Sequence, residues 1–164
     1  MRALIVIASR DSDNSGRNAS GLPFSVLENL NQGIEITNNS PFCSVNILLT
    51  GWGLVYPGYF TTIHTAMTRW IRQFAPYGVS KVVEAFHPSS DCGETDDEYV
   101  EWEAETIMLT AGRIQADKVI VVCYGPNESY RLQLTQGIED FKFNHYWARS
   151  LEVEYIPTIL EVCL

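Results

Sequence analysis

Four short apolar runs, 3–8, 45–49, 81–86 and 118–124, recur along the chain at wide intervals. Runs that are apolar on both faces suit strands buried in a parallel sheet, and each interval is long enough to hold a crossover helix. The intervals carry helical patterns. Val26, Leu27, Leu30 and Ile34 keep helical spacing between about Ser25 and Ile36, and Ile63, Met67, Trp70, Ile71 and Phe74 do so between about Thr61 and Phe74. A third helix opens at Thr95-Asp-Asp-Glu98, where Thr95 can cap and Glu98 can reach back, with Val100, Ala104, Ile107, Met108 and Ala111 as its buried stripe. A fourth spans about Glu128 to Phe141, Leu151 to Tyr155 alternates like an edge strand, and Thr158 to Cys163 is a further strand candidate.

This alternation predicts a three-layer α/β/α sandwich of Rossmann-like type, with a mainly parallel sheet of about five strands. Residues 1–164 show no repeat, linker or composition break and are read as a single α/β domain. In such sheets ligands sit at the carboxyl ends of the strands, so the polar residues just after each run become the candidates.

Charge narrows the partners. Eleven basic against twenty acidic residues give a net charge of −9, which disfavours a nucleic-acid or anionic-membrane surface. No apolar stretch approaches the roughly 20 residues that cross a bilayer. With the first strand starting near residue 3, there is no room for a signal peptide, and a cytoplasmic location is expected. Cys43, Cys92, Cys123 and Cys163 lack paired ligand spacing and are read as reduced packing residues.

The strand-end set comprises Ser9, Arg10 and Asp11, then Thr50, Gly51 and Gly53, then His87, Ser89, Ser90 and Asp91, and finally Asn127, Ser129 and Arg131. Glycines there let backbone amides approach a ligand, and adjacent helix starts offer unpaired N–H groups to an anion. Arg10 and Arg131 are cations in an acidic chain, mapped to one edge, and suit a phosphate or carboxylate group. His87 directly follows a strand and is the foremost general acid–base candidate, with Asp91 near enough in sequence to orient it. The acidic stretch from Glu94 to Glu105, which includes Glu103, reads as a solvated helix face, or, through Glu94, Asp97 and Asp91, as a divalent-cation site. Dinucleotide, P-loop and nucleophile-elbow fingerprints are absent.

The order of segments resembles the YdcF-like family, which includes SanA and ElyC. Leu48-Leu-Thr-Gly-Trp-Gly53 looks like its second strand and glycine turn, Gly78-Val79 precedes the third strand, and Cys92-Gly-Glu-Thr-Asp-Asp-Glu98 is similar to its threonine motif. Val119-Ile-Val-Val122 with Arg131 resembles its last motif, while Asn29 stands where the family has an arginine in the first helix. The resemblance covers roughly residues 3 to 135. It implies a Rossmann-like pocket in which Thr95, Gly51, Gly53 and Arg131 carry over, with S-adenosylmethionine a ligand proposed for the family.

The leading expectation is a small anionic, nucleotide-like metabolite bound at the strand-end cleft. Arg10 and Arg131 would hold the anion, Gly51 and Gly53 would admit it, Thr95 would bond it at a helix start, and His87 and Asp91 would serve any hydrolase or transferase step. One alternative is a divalent-metal-assisted hydrolase. Another is a non-catalytic sequestering or homo-oligomeric protein that uses the aromatic segment from Phe141 to Trp147 as its contact. A nucleoside deoxyribosyltransferase-like enzyme, which shares the architecture, is a more distant option.

Overall fold

The computed structural model describes residues 2–8, 24–39, 44–50, 69, 71–73, 81–84, 96–124 and 128–157. Within them the order is β1 (Arg2–Ala8), α1 (Phe24–Asn39), β2 (Ser44–Thr50), β3 (Lys81–Glu84), α2 (Asp96–Arg113), β4 (Lys118–Val122), α3 (Glu128–Asn144), a short 3-10 turn (Tyr146–Ala148) and β5 (Glu152–Ile156). The sheet runs β3-β2-β1-β4-β5, and all four neighbouring pairs are parallel. The Rossmann-like α/β architecture is therefore present, with β1 and β4 at its centre.

The period of two in each strand divides the core. Leu4, Val6 and Ala8 of β1, Leu48 of β2, and Val119, Val121 and Cys123 at β4 face α2 and α3, which supply Ala104, Ile107, Met108, Leu134 and Ile138. The alternate residues Ile5, Ile7, Ile47, Leu49, Ile120 and Val122 face the other way, toward Leu30 and Ile34 of α1 and toward Ile71. Burial on both faces is why these strands read as unbroken apolar runs. The strand β5 is different: Glu152 and Glu154 are exposed while Val153 and Tyr155 pack against the α2–α3 cluster. Its alternation marks an edge strand, and it pairs parallel to β4.

Helix ends fall where local chemistry stops them. At the end of α2 the Ala116 N–H donates to the Ala111 carbonyl at 2.9 Å and the Gln115 N–H to that of Gly112 at 3.2 Å. Gln115 takes a left-handed φ of 56°, which completes a Schellman closure. α1 and α3 each run three residues beyond the ends expected from periodicity: Asn38 and Asn39, expected to break the pattern, are still helical in α1, and Lys142 to Asn144 extend α3. The expected helix near Thr61–Phe74 is described at 69 and 71–73, where it is helical, and the strand suggested at Thr158–Cys163 lies outside the described residues.

One reading of the acidic stretch needs correction. Glu101 and Glu105 are exposed as a solvated face requires, but Glu103 is fully buried. It follows Val100 by three positions and precedes Ile107 by four, so helical geometry turns it inward with the apolar stripe.

Candidate functional site

The strand order creates the site. From β1 the chain steps outward to β2 and β3, then crosses to the opposite side of β1 for β4 and β5. The connections leaving β1 and β4 therefore lead to opposite faces, α1 covering one and α3 the other. A crevice opens between two adjacent strands at such a reversal, beyond their carboxyl ends.

Two buried polar assemblies stand at this edge. The first joins α1 to the chain leaving β4. Asn29, 1% exposed, donates from its side-chain nitrogen to the Tyr124 carbonyl at 3.0 Å, and its side-chain oxygen accepts the Tyr124 N–H. A primary amide offers a donor and an acceptor side by side, so Asn29 completes the hydrogen bonding of a peptide that has just left the sheet.

The second assembly centres on Glu103. Thr50, the last residue of β2, donates its hydroxyl to one carboxylate oxygen at 2.8 Å, and the Tyr130 hydroxyl donates to the other at 2.6 Å. All three side chains are buried. A carboxyl group withdrawn from water is costly unless its oxygens gain donors, and here each oxygen receives a hydroxyl. Both lengths lie within the normal range of O–H···O hydrogen bonds. One carboxylate thereby fixes the end of β2, the middle of α2 and the first turn of α3 to one another.

Arg131, next to Tyr130 in the first turn of α3, is half-buried. It lines a narrow crevice of about 10 Å³ with Cys123, Thr135, Tyr155, Ile156 and Pro157, at the carboxyl end of β4 and β5. Cys123 is a free, buried thiol whose backbone N–H continues the ladder by donating to Ile156 at 2.8 Å.

Among the expected ligand residues, then, Thr50 and Arg131 both lie at the carboxyl edge, in different surroundings. The Thr50 hydroxyl turns into the core toward Glu103, and Arg131 lines the β4–β5 crevice. Ser9, Arg10, Asp11, Gly51, Gly53, His87, Ser89, Ser90, Asp91, Thr95 and Asn127 lie outside the described residues, as do Glu94, Asp91 and the side chain of Asp97 from the metal reading. Among the described residues no group of three or more His, Cys, Asp or Glu side chains is placed to hold a metal ion. Nor is any described helix long and apolar enough to cross a membrane.

Sequence reasoning missed Glu103, Tyr130 and Asn29 as components of this edge. A signal existed for the first: an acid on the apolar stripe of an amphipathic helix must be buried, and so must find donors. Asn29 is marked only as the position of the arginine in the resembled family, and nothing local marks Tyr130; the partners of both are far away in sequence. No protein family, curated protein or solved structure matches the chain.

Proposed function

We propose that the chain binds a small anionic, nucleotide-like metabolite at the carboxyl edge of its sheet, beside β1 and β4. The reversal of strand order between these two strands is the observation that carries the reading, because it opens a crevice flanked by helix starts. Five residues separate the end of β4 from the first turn of α3, and a helix start presents N–H groups and the positive end of a helix dipole to an anion. Arg131 lies in that turn. Arg10, Gly51, Gly53 and Thr95 belong to the adjoining connections by sequence, and the likeness of 48–53 and 92–98 to YdcF-like motifs supports the same edge.

Glu103 has a different role in this reading. An anion is repelled by a carboxylate, and both oxygens of Glu103 already hold hydroxyls. With Thr50 and Tyr130 it is the rigid base of the cleft, which sets the distance between the end of β2 and the start of α3. Were the ligand turned over, His87 and Asp91 would supply acid–base chemistry for hydrolysis or group transfer.

Mass spectrometry of metabolites released from the purified protein identifies the ligand, and calorimetry with that compound tests the site. Loss of a charge-assisted contact in Arg131→Ala should weaken binding by about tenfold or more while leaving the melting temperature unchanged. Equal affinity of the variant and the parent rejects Arg131 as the anion's partner, and the absence of any released anion counts against the reading as a whole.

A further inference from the structure

The segment that closes α3 carries a surface unlike the rest of the described molecule. Phe143 and Tyr146 are 73% and 87% exposed, and Trp147 is 46% exposed. The Trp147 ring is held in position, and Arg149 ties down the backbone beside the other two. The Trp147 indole lies against Gly112 of α2, where an added Cβ would come within 2.7 Å of the ring, and it meets Phe141 edge-on with centroids 5.8 Å apart. Arg149 donates two hydrogen bonds to the Phe143 carbonyl, at 3.2 and 3.0 Å, and its guanidinium sits about 6 Å from the Phe143 and Tyr146 rings. Aromatic side chains already fixed by their neighbours lose little freedom on binding, and Tyr, Trp and Arg are the residues that most often anchor interfaces.

Beside this knob lies a groove of about 680 Å³ between α2 and α3. Val100, Gly137 and Phe141 line it, Glu101, Glu105 and Asp140 give it an acidic character, and His145, stacked on Phe141 at 3.7 Å, joins groove to knob. The knob segment carries the opposite sign in Lys142 and Arg149.

We propose that knob and groove are the two halves of a self-association surface. Phe143 and Tyr146 of one copy seat in the α2–α3 groove of a second copy, and the exchange is reciprocal across a twofold axis. Charge favours this occupant. Two chains of net charge −9 repel at long range, so a stable contact between them needs local pairing of opposite signs, which a cationic knob meeting an acidic groove provides. Size agrees. At roughly 150–250 Å² per ring the exposed fractions amount to roughly 400 Å² of aromatic surface. Adding the opposing groove brings each copy toward the ~800 Å² of a standard interface. A knob and a groove on one chain also meet the self-complementarity that a twofold dimer requires.

Sedimentation velocity on the full chain over a wide concentration range tests this, with circular dichroism to confirm folding. The parent should be a dimer. Tyr146→Ser should raise the dimer dissociation constant by about thirtyfold. The double substitution Glu101→Lys with Glu105→Lys, on the groove side, should do the same, and it carries the test alone if Tyr146→Ser perturbs the fold. A parent that stays monomeric, one that forms open-ended assemblies, or a dimer indifferent to a folded variant overturns the proposal.

Discussion

Glu103 shows how much a single buried acid can demand of its surroundings. It has no exposed surface, and its oxygens are held by hydroxyls from two other elements. Removing either hydroxyl leaves a carboxylate oxygen short of a donor where water does not reach, which costs about 1–3 kcal/mol. Tyr130→Phe and Thr50→Val each delete one donor with little change in volume. Each should therefore lower the urea unfolding free energy by about that amount. Because both hydroxyls serve one carboxylate, the double variant should depart from the sum of the singles by about 0.5 kcal/mol or more. Strict additivity would mean that the hydroxyls do not act through a shared group. Asn29 differs in kind, since it serves backbone rather than side chain, and it holds α1 against the exit of β4 without any charge.

Helix α2 illustrates what can be read from an element in isolation and what cannot. Its start near Asp96, its stripe and its approximate length are all legible from the capping signature in the sequence and a period of 3.6. So are the three central strands β1, β2 and β4, because burial on both faces leaves a continuous apolar run. Strand order is not legible: β1 and β4 lie side by side through packing between segments more than a hundred residues apart. The candidate site inherits that division. The carboxyl edge could be named from the runs alone, whereas the Thr50–Glu103–Tyr130 assembly required three elements to be placed together. The close of α2 is a further case, since nothing in Ile114-Gln-Ala116 signals a left-handed residue. A side chain at a left-handed φ costs roughly 1–2 kcal/mol, and glycine avoids most of it. Gln115 is exposed with φ 56°, so Gln115→Gly should raise stability by about 1 kcal/mol, read as a higher melting temperature or urea midpoint. A drop in stability would show that the Gln115 side chain contributes more than its backbone strain removes.

At the scale of the molecule, β5 is joined to a sheet whose strands β1, β2 and β4 are anchored in the core, and it carries or meets two titrating groups. Lys118 bonds Glu154 at 2.8 Å and approaches Glu152 at 3.4 Å. The Glu154 hydrogen bond, working against partial burial, raises the lysine pKa above its ordinary value. Tyr155 packs against the core and donates to Glu139 at 2.8 Å. Burial, reinforced by that carboxylate, drives its pKa far above the ordinary phenol range. Both groups hold their protons more tightly in the folded chain than in the unfolded one. Their stabilisation is therefore complete below about pH 10 and declines as pH rises above the unfolded values toward the folded ones. Ionising Tyr155 would also set a phenolate against Glu139 inside a molecule already at net charge −9, so repulsion acts in the same direction. Urea midpoints measured from about pH 8 to about pH 11 should thus fall steeply at the alkaline end. Tyr155→Phe should start lower at pH 8, having lost one hydrogen bond worth about 0.5–1.5 kcal/mol, and then fall less steeply. Other titrating groups, Lys118 among them, are common to both proteins, so the difference between the two curves isolates Tyr155. Parallel curves would assign the alkaline loss to groups other than Tyr155.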